Sequence, residues 1–398
     1  MTKILIAGGG IGGLVAAGCL LLDGHDVDIY EQAPELGEIG AGIQQSANAT
    51  HVMRHLGVLD ALKEVAFVPP VTEFRLFDTG EVLQSLELAA THEERHKAPY
   101  LQLHRADYHA ILSARIHDLK PDCIRLNAPA AGFRETTDGV ILLLADGSEV
   151  FGNLLIGADG IKSVIRRQLV GKYRPKYTGD SCWRLMVPVD HLPSNFLQGK
   201  STVWVGPARH AVVYFLRGGS LLNFVGVVEL DEWIQESWTQ KRPWDELWDD
   251  YQGWNQNILT IIQKGDRDAC YRWSLNVHPH LDSWASGRVA LLGDAAHPTL
   301  PYLAQGAAMA VEDGAVLARA IARAGSIPDA LRLYETHRIP RTRKIVDGSF
   351  ANRNLFHLPD ETSLRREFAK RNIDKERADW LYSYNPLTAD IEADAFAS

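Results

Sequence analysis

The chain has 398 residues, 46% of them apolar and 23% charged, with a formal net charge of −9. That length gives room for two or three domains with full cores, and the composition is that of an ordinary globular protein. An acidic chain with no contiguous basic face is repelled by a phosphate backbone, so a nucleic-acid partner is excluded.

Lys3 to Ala7 reads as an apolar strand, and the run Gly8-Gly9-Gly10-Ile11-Gly12-Gly13 leads into a small-residue helix ending near Leu22. A second strand, Val27 to Tyr30, brings the chain to Glu31, eighteen residues past Gly13. This G-x-G-x-x-G in a βαβ unit is a dinucleotide-binding fingerprint. Gly8 permits the tight turn, Gly10 lets backbone approach a pyrophosphate, Gly13 lets the helix lie against the strand, and Glu31 accepts hydrogen bonds from a ribose. The helix N-terminus completes the anion site. The motif alone leaves NAD and FAD open.

The glycine-rich stretch from Pro34 to Gly42 reads as an irregular loop, and Ala47 to Val65 has helical spacing that Pro69-Pro70 ends. Thr72 to Phe77 and Val82 to Leu88 form a predicted hairpin around Asp78-Thr79-Gly80. The charged stretch Thr91 to Lys97 interrupts the pattern before Tyr100 to Arg105, and Ala106 to Leu119 reads as a one-faced helix. Hairpin turns at Asp138-Gly139 and Asp146-Gly147 lead to Leu154-Leu155-Ile156-Gly157-Ala158-Asp159-Gly160. From about residue 177 to 272 the strands Ser201 to Val205, Ala211 to Leu216 and Leu221 to Val228 predict an antiparallel sheet that supplies a pocket. Parallel-sheet texture returns at Val289 to Asp294, followed by helices Gly306 to Ala324 and Ala330 to Arg343 and a charged helical tail. The four cysteines, Cys19, Cys123, Cys182 and Cys270, show no C-x-x-C spacing, against a disulfide framework or a zinc site. The first strand opens too early for a signal peptide, and no apolar run reaches the roughly eighteen residues of a membrane span. A cytoplasmic protein with no metal and no membrane partner is expected.

Asp294 ends an apolar strand, where its carboxylate can accept from a ribityl chain or cap the next turn. The helix starting near Gly306 offers its positive end to the N1–C2=O edge of a flavin, or simply packs closely. In Arg209 to Leu216, read as a strand, His210, Val212, Tyr214 and Leu216 share one face. An imidazole and a phenol on one apolar wall can hold a substrate hydroxyl and take its proton; the bland reading is a half-buried histidine and a packed tyrosine.

Three motifs in chain order, Gly8-x-Gly10-x-x-Gly13 with Glu31, Gly157-Ala158-Asp159-Gly160, and Gly293-Asp294 with Ala295-Ala296-His297-Pro298, resemble those of the FAD-dependent aromatic hydroxylases. These are single-component flavoprotein monooxygenases of the para-hydroxybenzoate hydroxylase fold. Gly37 to Gln44, His297 to Gln305, Glu312-Asp313 and Trp380-Leu381-Tyr382 are similar to members of the 3-hydroxybenzoate 6-hydroxylase, salicylate hydroxylase and 6-hydroxynicotinate 3-monooxygenase type. The resemblance implies an α/β fold: a Rossmann-like FAD-binding domain (1–71, 98–176 and 273–345), an inserted antiparallel-sheet substrate domain (72–97 and 177–272), and a C-terminal helical segment (346–398). It implies one FAD, with NADH or NADPH visiting as co-substrate, and hydroxylation of a small phenolic or hydroxy-heteroaromatic, carboxylated ring by O2 through a C4a-hydroperoxyflavin. Oligomeric state is left open, with a homodimer as one option.

Carried onto this sequence, the FAD residues are Gly8, Gly10, Gly13, Glu31, Gly42, Arg105, Asp159, Gly160, Asp294, Gln305, Gly306 and Ala307. The catalytic candidates are His210, Tyr214 and Tyr302. The chain departs from its relatives at Pro301, where the 3-hydroxybenzoate enzyme has glutamine, and at Tyr302, where the 6-hydroxynicotinate enzyme has histidine. No arginine for a substrate carboxylate is obvious: Arg184 and Arg217 lie in the pocket region, and either can as easily be a solvated or flavin-side residue. The competing class is an FAD-dependent oxidase or dehydrogenase of the same fold, without oxygen insertion.

Overall fold

Unbroken apolar strands need cover on both faces, and the first, second and last strands of the fingerprint region find it in a parallel sheet. A computed structural model describes residues 1–37, 41–171, 175–230 and 241–391. Glu38, Ile39 and Gly40 of the glycine-rich loop, residues 231–240 of the pocket region and the last seven residues of the tail lie outside the described residues.

The sheet has six strands in the order Ala285–Ser286, Val289–Leu291, Leu154–Gly157, Lys3–Ala7, Asp26–Tyr30 and Ile124–Arg125, all parallel except the first. Ile4 pairs with Leu154 on one side and Val27 on the other, and these side chains are fully buried. Helix Ile11–Leu22 packs against helix Gly306–Arg323 over this sheet, which brings the first and last motifs together at the same strand ends.

A seven-stranded sheet stands beside it, in the order Tyr271–Val277, Lys176–Pro188, Leu221–Glu229, Arg209–Leu216, Ser201–Gly206, Val71–Leu76 and Val82–Glu87. Its neighbours are antiparallel except Ser201–Gly206 with Val71–Leu76. Strand alternation gives its faces different tasks. Ala211, Val213 and Phe215 enter a core under helix Gln256–Lys264, while Tyr214 and Leu216 face the other way, toward Tyr302 and Phe356. Helix Ile327–Phe356 runs 30 residues, through Pro340, from the parallel sheet to this second face.

Three elements differ from expectation. Ala47 to Val65 forms two helices, Ala47–His55 and Leu59–Val65, because the chain turns at Gly57 with φ +75°. The charged stretch near Thr91 is a helix, Ala89–His96, that buries His92 and His96, so its inner face is polar and shows no apolar period. The helix predicted from Ala330 to Arg343 starts at Ile327 and continues to Phe356. Among the described residues no helix is long and apolar enough to cross a membrane.

Candidate active site

One long cleft runs between the two large sheets, enclosing about 1330 Å³ of space between protein atoms, its open mouth included. Gly10, Ile11 and Gly12 line one end and Arg184, His210, Val212 and Tyr214 the other, room for an extended dinucleotide and a small ring end to end.

At the first end, packing explains the glycines. A Cβ on Gly8 would stand 2.3 Å from the Ala158 carbonyl oxygen, and one on Gly13 would stand 2.1 Å from that of Gly8. Gly10 has no protein atom within 4 Å of its Cβ position, so nothing in the fold itself demands a glycine there. The first hydrogen bond of the helix runs from Leu14 N to Gly10 O, leaving the N–H groups of the first turn pointing into the cleft. Glu31 accepts from Gly9 N at 2.6 Å and from Ala33 N at 2.8 Å, which pins its carboxylate beside the turn.

Midway along the cleft, Asp294 presents its carboxylate to the open space, and it accepts no hydrogen bond from the described residues. Surrounding protein disfavours its charged form and raises its pKa, although His297 and Arg105 pull the other way. Arg105, Gly160, Gly42, Gly306 and Ala307 line the same stretch. Gly42 is tied to the far wall: a Cβ there would meet the Tyr214 hydroxyl at 2.4 Å, and its N–H donates to Asn223 at 3.2 Å.

The helix start at Gly306 is held from behind by a buried polar network. Asn48 Nδ2 donates to Gln305 at 2.9 Å and to Glu312 at 2.6 Å, and Gln305 Nε2 donates to Ser46 at 3.0 Å. Arg338 donates to Glu312 and Asp313, and Arg341 to Glu312, all at 2.6–2.7 Å and with both carboxylates fully buried. Burial opposes ionisation of Asp313, but His297 and Arg338 beside it hold its pKa down at about 2. Here the structure departs from the sequence assignment: the Gln305 side chain turns into this network, away from the cleft. Asp159 likewise turns away, accepting from Ser163 and, at 2.7 Å, from Val164 N, where it caps helix Val164–Val170.

At the other end, His210, Val212 and Tyr214 line the cleft as their shared strand face predicts. Burial raises the pKa of Tyr214, keeping its phenol protonated as a donor. Tyr302 is not on the cleft wall. Its ring lies behind His210, centroids 4.7 Å apart, and its hydroxyl donates to Asp180. Of the two arginines, Arg184 lines the cleft, its guanidinium 5.0 Å above the Trp273 ring. Arg217 is on the surface, donating to both oxygens of Asp107 at 2.8 Å.

Behind His210 lies a cluster that no motif marked. His210 Nδ1 is 2.8 Å from His357 Nε2, and His357 Nδ1 is 2.9 Å from Glu229. Arg353 donates to both oxygens of Asp180 at 2.6 and 2.7 Å and lies 3.3 Å from Glu229. Asp180, Glu229 and His357 place ligand-type atoms within 4.8 Å of one another, but the Arg353 guanidinium already supplies the positive charge, making this an ion-pair cluster.

Comparison with known proteins bears on what fills the cleft. The family model described as "FAD binding domain" matches residues 1–349. A 3-amino-4-hydroxybenzoate 2-monooxygenase of Streptomyces platensis is 37% identical over 387 residues, 96% of each chain. A 3-hydroxybenzoate 6-hydroxylase of Aquipseudomonas alcaligenes is 35% identical, over 89% of this chain and 90% of its own. Among solved structures, Klebsiella pneumoniae HpxO complexed with FAD and uric acid superposes with a TM-score of 0.84 at 27% identity, covering 96% of this chain and 97% of that one.

Proposed function

The chain belongs to the FAD binding domain family, and from that premise we propose that it hydroxylates a small phenolic or hydroxy-heteroaromatic acid, using NADH or NADPH and O2. The observation that supports this reading is one continuous cleft, lined by the glycine turn Gly10 to Gly12 at one end and by His210, Tyr214 and Arg184 at the other.

The residues present fit FAD. The open N–H groups at Gly10 to Gly12 suit a pyrophosphate, and Glu31 has lone pairs left for a ribose. Asp294, which accepts no hydrogen bond from the described residues, suits the ribityl hydroxyls, and the N-terminus of helix Gly306–Arg323 suits the electron-rich edge of the ring. Arg105, Gly160 and Gly42 complete the walls. When bound and reduced by the nicotinamide, FAD supplies the activation of O2 and the electrophilic oxygen atom.

The chain's own residues do the rest. Arg184 holds the substrate carboxylate in a charge-assisted hydrogen bond, its position fixed by Trp273. Val212 and Val225 press on the ring and keep water out. His210 accepts the proton of the ring hydroxyl, which makes the ring carbons nucleophilic, while Tyr214 donates to the oxygen. A panel of hydroxybenzoates and hydroxypyridine carboxylates, scored for ligand-stimulated NAD(P)H oxidation and for 18O from 18O2 in the product, tests the reading. Label in an aromatic product supports it. Turnover with no label from any acid would assign the chain to the oxidases or dehydrogenases of this fold. In His210→Ala, FAD should remain bound and reducible while product formed per NAD(P)H falls, and unchanged coupling would remove His210 from the reaction.

A further inference from the structure

From 383 to 391 the chain forms neither helix nor strand. Backbone carbonyls in such a segment have no ladder to join and need donors from elsewhere. Three arginines of the two long helices provide them. Arg319 donates to the carbonyls of Pro386 and Ala389 at 2.6 and 2.7 Å, and Arg323 to that of Ile391 at 3.2 Å. Arg341 donates to those of Trp380 and Leu381 at 3.1 and 3.0 Å. Its guanidinium also lies 3.8 Å from the centre of the Tyr384 ring, well within cation–π range. Ile391 is fully buried in the same core as the parallel sheet, so the segment is anchored at its far end as well.

Arg341 faces two ways. The same guanidinium grips Glu312, from Nε at 2.8 Å and from Nη2 at 2.7 Å. Glu312 passes the hold on: Asn48 donates to it at 2.6 Å and to Gln305 at 2.9 Å, and Gln305 donates to Ser46 at 3.0 Å. Gln305 is the N-cap of helix Gly306–Arg323, and its carbonyl takes the first hydrogen bond of that helix, from Met309 N at 2.8 Å. Ser46 directly follows strand Gly42–Gln45. An unbroken line of hydrogen bonds thus runs from the tail to two backbone segments, at Gly42 and at Gly306 and Ala307, that line the middle of the cleft. None of residues 380–391 lines the cleft itself.

We propose that residues 380–391 are a clasp that positions FAD without touching it, by holding Arg341 and, through Glu312, Asn48 and Gln305, the start of helix Gly306–Arg323 against strand Gly42–Gln45. A long side chain held by Glu312 alone keeps rotamer freedom, which the two carbonyls and the Tyr384 ring restrict. Arginine suits the task because its planar fork meets a carboxylate and two carbonyls at once, whereas a lysine ammonium is a single point charge. Arg341 and Tyr384 are positioning residues. The clasp requires FAD in the cleft, as the family assignment gives, and is independent of the hydroxylation reading.

The test measures FAD affinity, by fluorescence titration of the FAD-stripped protein, beside denaturant melts of the same apoproteins. The variants are Tyr384→Leu, Arg341→Lys, Glu312→Gln and the double variant Tyr384→Leu with Glu312→Gln. Tyr384→Leu changes a half-buried side chain and leaves every charge in place, and it should weaken FAD binding on the order of tenfold. Arg341→Lys keeps the charge without the fork and should weaken it at least as much. In the Glu312→Gln background, Tyr384→Leu should cost no more than about twofold further, because the line through Glu312 is already broken. A merely structural tail would lower the melts while leaving FAD affinity at the wild-type value, or would repeat the full tenfold loss in the Glu312→Gln background. Either result overturns the clasp. If Glu312→Gln does not fold, the single variants decide, and wild-type FAD affinity in either one overturns it. Wild-type protein that bound no FAD would instead overturn the cofactor assignment, before any variant is compared.

Discussion

Gly10→Ala and Gly13→Ala put the same methyl group on two glycines of one motif, and the structure assigns them opposite consequences. At Gly13 the new carbon lies 2.1 Å from the Gly8 carbonyl oxygen, more than 1 Å inside ordinary contact, and the obstacle is backbone that cannot rotate away. Overpacking of this kind costs about 1–3 kcal/mol, and the FAD-free protein should show it. Gly10 has no atom within 4 Å and a φ of −72° that alanine adopts freely. Alanine is a poorer helix N-cap than glycine by roughly 0.5–1 kcal/mol. The entropy removed from the unfolded chain returns about 0.4–1 kcal/mol. The two cancel, so apoprotein stability should hardly change. With FAD bound, however, the methyl stands where the pyrophosphate approaches the backbone. Losing one charge-assisted N–H contact costs about 1.5–3 kcal/mol, roughly a 10- to 150-fold loss of FAD affinity. Denaturant melts of the apoproteins, with FAD titrated back by flavin fluorescence, read both numbers. Wild-type FAD affinity in Gly10→Ala would refute the placing of the pyrophosphate, and an undisturbed Gly13→Ala apoprotein would refute the packing argument.

Asp294→Asn should lower flavin occupancy of the purified protein, seen in its visible spectrum. Because the folded-state pKa of Asp294 lies above its unfolded value, its charge weakens the apoprotein at pH 7. The Asn variant should therefore melt higher there, an advantage that fades as pH falls through the raised folded pKa toward the unfolded one. Arg184→Met should raise KM for a carboxylated ring on the order of 10- to 100-fold while leaving FAD binding intact, and an equal effect on a substrate lacking the carboxylate would rule out the pairing. Glu312→Gln leaves Arg338 buried beside half its counter-charge, and a loss of about 3–5 kcal/mol should appear in apoprotein melts, with FAD affinity falling as the start of helix Gly306–Arg323 loosens.

The cofactor end was legible in the sequence because each of its requirements is local. A turn with φ +108° at Gly8, a close helix at Gly13 and a carboxylate at a strand end all leave marks within a few residues. Strand period likewise put His210 and Tyr214 on one face. What period could not say was how far each side chain reaches: Gln305 and Asp159 sit in motifs, yet spend their hydrogen bonds on Ser46, Asn48 and a helix cap. Tyr302, expected among the catalytic residues, lies behind the His210 ring and off the cleft wall. The His357 and Glu229 contacts join residues 147 and 128 positions apart, and no spacing rule spans such distances. Arg184 and Arg217 were indistinguishable until Asp107 claimed one of them.

Helix Ile327–Phe356 acts as a ruler between the two halves of the cleft. Near its middle, Arg338 and Arg341 grip the carboxylates behind the start of helix Gly306–Arg323; at its far end Arg353, with His357 just beyond, grips the wall that bears His210. A slip of one residue along its axis moves every side chain by 1.5 Å. That is enough to break hydrogen bonds at both ends together. The spacing between the two ends of the cleft is thus tied to a count of residues in one helix, and an insertion or deletion between Arg341 and Arg353 should miscalibrate the site even though it changes no residue of the cleft wall.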